Sequence, residues 1–516
     1  MLDNVVNLAL LAGILVGGFG FPADLVYRRM FPGTALGVMV GDFAYTWLAF
    51  RLARKTGRDD VTAMPLGLDS PSTIGMALAV LGPAFLAAKA TMPANDAAIV
   101  AWQVGMATMV LIGVIKLVMS FAGEYVRRLI PEAGLLGSIG GVAIALLGTL
   151  QLGQIYSEPI VGMIALGIIV YALVAKIRLP LRSPAVLGSV AIGGGLYYAL
   201  GAMGLSLHPV VLPHATFPVG LPVPTLGFVS GMPLAVTKYL PIAFPFALLT
   251  VIGGIIVTES ARVAGDDYKT RDILLTEALA TLVAGVCGGV SQSTPYIGHP
   301  AYKAMGGRAA YTLATGLFVG LGGMLGYIAF LADALPMPAL APLLVFIGVD
   351  ITEQAYLATP RRHSAAVTFA VFPSVAQLVV IFLSQVYSGV LLTAAIDPAG
   401  AAKATGIANP AFITLCGVMV VLANGFILTA MLWGGGVAFL IDRRINAAAA
   451  TFAVCAALSV FGVIHSILPT GGIYLPWATG SPLPWHWAVA YAGLAVLVLG
   501  LAKTKAFRDT PPAPAH

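Results

Sequence analysis

From Val5 to Leu501 the chain is a succession of apolar runs close to 20 residues long, separated by short polar connections. A run of that length crosses a hydrocarbon core of about 30 Å as a helix. Backbone in hydrocarbon must satisfy its own hydrogen bonds, which leaves helices or closed barrels as the spanning structures. The runs are too long and too continuous for the short alternating strands of a barrel. Only 9% of the residues are charged, against about 25% in soluble domains. An all-α polytopic membrane protein is expected. Met1 to Asn7 has no basic start and no A-x-A site follows, so the N-terminus is read as retained rather than cleaved.

Hydropathy places spans near residues 5–27, 33–51, 61–88, 97–121, 132–151, 155–175, 184–204, 238–260, 272–290, 291–306, 309–331, 338–357, 364–388, 411–441, 447–469 and 486–503. The net charge of +6 comes from small basic clusters between these runs, so it bears on topology and gives no reason to expect nucleic acid as a partner. With the N-terminus in the cytoplasm of a bacterial inner membrane, 21 of the 27 Lys and Arg residues fall on the inner side. The three cysteines lie in apolar runs without ligand spacing, so neither a disulfide framework nor a metal site is expected. No cofactor is implied, and no nucleophile–base pair or phosphate loop suggests an enzyme.

Two stretches break the third and tenth runs: MPLGLDSPST (Met64 to Thr73) and STPYIGHPAY (Ser293 to Tyr302). Each carries two prolines. Pro71 follows Ser70 and Pro300 follows His299, as at the start of a new helix with a polar capping residue ahead of it. Irregular backbone at membrane depth is tolerated where it is buried in protein or lines a cavity, and paired breaks in two halves point to a transporter's binding site. The Pro-rich connection 206–237 divides the chain, and the breaks fall in the third span of each set of seven. Seven being odd, the sets insert oppositely. The expected organisation is a first inverted repeat (1–205), an outer connection (206–237), a second repeat (238–441), two additional C-terminal spans (442–503) and a polar tail (504–516).

An acid at the bilayer centre costs roughly 2.5–3.5 kcal/mol on insertion scales, so acids within or beside spans need a partner or a use. Glu259 ends the run ALLTVIGGIIVTES, and Asp69 stands at the first break. Glu259 is read either as an interfacial carboxylate paired with Arg262 or as a substrate-binding and proton-coupling group. Asp69 caps its own half-helix, contacts a ligand, or does both. His299 at the second break is a cap or a group handling substrate or protons. The polar run Ser291 to Thr294 before it suits a cavity or unwound backbone, and Tyr296 offers a ring for stacking.

TESARVAGDDY (Thr258 to Tyr268), EALATLVAGVCGGVSQSTPYIGHPAYKAMGGRAA (Glu277 to Ala310) and GLDSPS near residue 70 resemble the xanthine/uracil permease superfamily, closest to its adenine/guanine/hypoxanthine permease branch. The resemblance implies fourteen spans in two inverted repeats, arranged as a core domain and a gate domain, a fold that often dimerises through the gate. It puts Glu259 where the family has its nucleobase-binding acid and Gly298 where a second substrate-binding acid or amide is expected. The expected function is secondary transport, coupled to H+ through Glu259, of a small polar, nucleobase-like metabolite. The alternative is an anion carrier of the sulfate or bicarbonate type on the same fold; a channel is a third reading.

Overall fold

The computed structural model describes residues 2–121, 131–177, 179–180, 185–210, 212, 216–296, 299–304, 306–386, 394–407, 409–468, 471–504 and 507. Among them, eight helices are long and apolar enough to cross a bilayer. Two helix pairs, Tyr311–Leu325 with Tyr327–Ala334 and Pro398–Thr405 with Pro410–Ala423, bend by 81° and 114° at short breaks. The protein is an all-α polytopic membrane protein, with two three-residue strands among the described residues.

The chain packs as two compact units, each built from separated segments. The first comprises Met1–Val126, Leu152–Val236 and Phe246–Leu343; the second comprises Arg127–Gln151, Thr237–Pro245 and Leu344–His516.

The first unit carries the two broken segments. Its elements include α1 (Leu2–Ala12), α2 (Phe31–Thr56), β1 (Leu66–Leu68), α3 (Ser70–Gly75) and α4 (Ala94–Met119). The helix beginning at α3 runs on through wider π-helical turns and ends at Lys89. From the second half come α5 (Leu240–Val263), whose first residues belong to the other unit, then α6 (Thr270–Val286), β2 (Ser293–Pro295), α7 (His299–Ala304) and α8 (Tyr311–Leu325). Helix α2 packs against both α6 and α8, and α4 packs against α6. Small residues allow this approach: a Cβ on Gly37 would stand 2.7 Å from the Ala284 Cβ. The Val290 amide, just before β2, donates to Thr34 Oγ1 of α2 at 3.1 Å.

The second unit holds α9 (Phe426–Ile441), α10 (Ile445–Val460) and α11 (Leu483–Leu501). Here the structure departs from the expected span 411–441. That run is two helices, Pro410–Ala423 and α9, separated at Asn424 and at Gly425 with φ +75°. At 1.5 Å per residue an unbroken helix of that length would overshoot a ~30 Å core. The Asn424 side chain donates to the Ser466 carbonyl at 2.7 Å, tying the break to the following loop. In the first unit, the connection expected across 206–237 contains a helix at Gly227–Leu234 that packs on α4.

Candidate substrate site

A proline pushes the residue before it out of the helical region, so Met64–Pro65 and Thr294–Pro295 favour extended backbone. The two extended stretches meet. β1 and β2 pair antiparallel, with Leu66 opposite Pro295, Gly67 opposite Thr294 and Leu68 opposite Ser293. Asp69 N–H donates to the Gln292 carbonyl at 3.0 Å and Tyr296 N–H to the Pro65 carbonyl at 2.9 Å, extending the pairing beyond both strands. The crossing thus supplies backbone partners that neither broken span has alone.

Side chains secure its edges. Asn4 Oδ1 of α1 accepts the Leu68 amide at 2.7 Å, and Tyr296 Oη donates to the Leu68 carbonyl at 3.1 Å. The Asp69 carboxylate accepts the Ser72 amide at 3.0 Å, so the capping residue of α3 is Asp69 and Ser70 is its first helical residue. Thr73 Oγ1 donates to the Asp69 carbonyl at 2.7 Å and also meets the Ser291 hydroxyl across the crossing.

Behind β2 lies a buried ion pair. Lys116 of α4 holds Glu277 of α6 at 2.8 Å, with both side chains 1% exposed. Lys116 Nζ also donates to Thr281 Oγ1 at 3.2 Å and to the Ser293 carbonyl at 3.4 Å. Asp69 and Glu277 are both within electrostatic reach of this ammonium. The Gln292 side chain, at the crossing itself, is fully buried, and neither its amide nitrogen nor its oxygen has a partner among the described residues. The Ser293 hydroxyl is in the same condition. A buried amide without a partner costs roughly 1–3 kcal/mol.

His299, which starts α7, points its Nε2 at Asp266 Oδ2, 3.0 Å away, in the loop between α5 and α6. Asp266 also accepts Lys303 Nζ at 2.6 Å and the Thr62 amide at 3.1 Å, with Arg58 at 3.4 Å. Burial pushes the Asp266 carboxyl up, but the hydrogen bonds from His299, Lys303 and Thr62 and the Lys303 charge outweigh it and hold the carboxyl below its ordinary range. One carboxylate therefore joins the approach to β1, the start of α7 and the α5–α6 loop.

The backbone of Glu259 lies in α5, but its side chain, like the rings of Pro71 and Pro300, is outside the described residues, as is Gly298 altogether. The structure brings Asp69, Ser70 and Tyr296 to one crossing and ties His299 to Asp266. Sequence reasoning did not give roles to Lys116, Glu277, Asn4 or Gln292 individually, nor to Asp42 of α2, whose fully buried carboxylate oxygens have no hydrogen-bond partner among the described residues. The signal for Lys116, Glu277 and Asp42 was available: each is an ionisable residue within an apolar span.

Two broken segments thus cross within a polytopic helical membrane protein, the kind of arrangement in which irregular backbone lines a cavity. No protein-family model and no curated protein sequence matches the chain. Similar solved structures include the transmembrane domain of a cyanobacterium bicarbonate transporter, BicA, at 17% identity and a TM-score of 0.47, covering 72% of this chain and 97% of that one. The overall structure of SLC26A9 is similar at 14% identity and TM-score 0.47, covering 68% of this chain and 62% of that one. The murine Slc26a9 anion transporter in the inward-facing state is similar at 15% identity and TM-score 0.45, covering 73% and 66%. These findings correct the expected membership of the xanthine/uracil permease superfamily: the similar structures are anion transporters, of a different family. At such scores the likeness does not decide the substrate, which is argued below from the site.

Proposed function

We propose that the chain is a secondary transporter that carries a small anion, together with a proton, across a bacterial inner membrane by alternating access. The observation that carries this reading is the Gln292 amide, buried without a partner among the described residues where β1 and β2 cross, beside the Ser293 hydroxyl. Both groups can donate to an acceptor-rich ligand. Lys116 supports the reading by bringing a fixed cation to the back of β2. Glu277 already neutralises Lys116, and Asp69 adds a further carboxylate. An anion would therefore enter a site of net negative character unless a proton accompanied it, and Glu259 is the group we assign to bind that proton.

In this reading the repeats 1–205 and 238–441 each contribute one broken span, the N-terminus is cytoplasmic, and the protein acts as a homodimer without a cofactor. The test is uptake into proteoliposomes under an inward proton gradient, with sulfate, bicarbonate, small carboxylates, adenine and uracil as labelled substrates. Saturable accumulation of an anion is expected, reduced at least about tenfold by Gln292→Leu. Uptake of a nucleobase with no anion accumulated would overturn the reading.

A further inference from the structure

Asp42 is the twelfth of the 26 residues of α2, about 17 Å from its start at 1.5 Å per residue and so near the middle of a ~30 Å core. Its neighbour Gly41 faces the crossing, since a Cβ there would run into Leu66 of β1. Asp42 itself faces α8, where a Cβ on Gly316 would stand 2.9 Å from the Asp42 Cβ. The side chain is fully buried, and neither carboxylate oxygen has a hydrogen-bond partner among the described residues. Other buried acids have theirs. Asp69 accepts the Ser72 amide, Glu158 the His208 amide and Asp266 the Lys303 ammonium, while Glu277 is held by Lys116.

The surroundings explain the exception. Thr46, one turn along α2, donates to the Asp42 backbone carbonyl at 2.8 Å, and Thr312 of α8 meets Thr46 Oγ1 at 2.8 Å. The Thr46 hydrogen is thus spent on the carbonyl and the Thr312 hydrogen on Thr46, which leaves neither hydroxyl to donate to the carboxylate. Tyr45 and Tyr311 are within electrostatic reach of Asp42. The Tyr45 hydroxyl donates to the Ile273 carbonyl at 3.2 Å, and the buried Tyr311 hydroxyl has no hydrogen-bond partner among the described residues. On α6, Glu277 is neutralised by Lys116. β1 and β2 carry no titratable side chain. Arg28 and Arg29, in the helical turn before α2, are at least 13 residues back, about 20 Å, and Arg51, nine residues on, lies over the Trp47 ring. The chain's amino terminus acts on the carboxyl electrostatically, but neither carboxylate oxygen has a hydrogen bond to satisfy it.

We propose that Asp42 is a proton-binding site, occupied by a proton while α2 and α8 pack in this way. A fully buried carboxyl with no donor beside it takes up a proton rather than stay ionised. On release the O–H proton passes to water and leaves a charge that this interface does not stabilise, so release requires the two helices to part or water to enter beside Asp42. Proton occupancy is thereby coupled to the packing of α2 on α8. The use of this site in transport rests on the proton-coupled reading above, with Asp42 as a second group besides Glu259; its occupancy by a proton does not.

The experiment is infrared difference spectroscopy of the full-length protein in lipid bilayers at neutral pH, parent minus Asp42→Asn, in H2O and in D2O. A carboxylic-acid C=O band that is present in the parent, shifts down in D2O and is lost in the variant is expected. The melting temperature should be unchanged, because the amide copies the shape and neutrality of the acid. Asp42→Thr, whose hydroxyl can bond the Val38 carbonyl one turn back, is the second variant and should lose the same band. Loss of a carboxylate band instead, with a lowered melting temperature, would show an ionised Asp42 and overturn the inference. In the proteoliposomes, Asp42→Asn should carry fewer protons per anion than the parent, and an unchanged ratio would overturn its part in coupling. Should the parent accumulate no anion, the functional reading fails while the spectrum still decides the site.

Discussion

Lys116 and Glu277 illustrate what burial does to a charge. Each is expensive to hold away from water alone, and each is tolerable beside the other at 2.8 Å. Lys116→Met is expected to cost about 3–5 kcal/mol by leaving the carboxylate without its countercharge, and Lys116→Met with Glu277→Leu should recover most of that loss. Thermal unfolding in detergent measures both; equal melting temperatures for the single and double variants would rule out a coupled pair. Asp266 gives a pH-dependent case. Its carboxyl titrates below the ordinary range in the folded state, so its contribution is complete above the unfolded value and lost as pH falls through the folded one. Asp266→Asn should therefore lower the melting temperature near pH 7, with the difference from the parent shrinking below about pH 4. A difference that grew on acidification would contradict the assignment. Of these residues, Asp69 and His299 were legible because a proline stands two residues or one residue beyond them. Lys116 and Gln292 look like a misplaced topogenic lysine and one more polar residue until the fold shows what they touch.

The elements divide along the same line. Both breaks could be read in advance, since Pro65, Pro71, Pro295 and Pro300 impose local backbone conformation whatever surrounds them. Their antiparallel register could not, because it depends on how α2, α4 and α6 stack. Gly67 belongs to that register: a Cβ there would come 2.7 Å from Tyr296 Cζ. Gly67→Ala should destabilise by about 1–3 kcal/mol, as measured by thermal unfolding, and lower uptake. An unchanged melting temperature would mean that the glycine serves another purpose. The break between Pro410–Ala423 and α9 was missed because its signal, Asn424–Gly425, contains no proline and sits in a run that is apolar on both sides. The length of the run was the available clue.

At the scale of the molecule, two expectations concern transport and orientation. Glu259→Gln should abolish accumulation driven by a proton gradient while sparing anion exchange, as measured in the same proteoliposomes; uphill uptake at the parent's rate would remove Glu259 from coupling. If the sixteen spans expected from hydropathy and a cytoplasmic N-terminus hold, the tail returns to the cytoplasmic side, so a fluorescent protein fused after residue 516 should fluoresce and an alkaline phosphatase at the same place should be inactive. The opposite pair of results would reverse the orientation derived from the basic clusters.

Membrane residence, helical spans and the two interruptions follow from composition, run length and proline placement, because water exclusion and backbone sterics act on each segment separately. The meeting of Leu66–Leu68 with Ser293–Pro295, the Lys116–Glu277 pair and the Asp266 hub join positions remote along the chain. Such contacts arise only when helices pack, since whether a buried polar group finds a partner depends on its neighbours in space, and no local property of the chain specifies them.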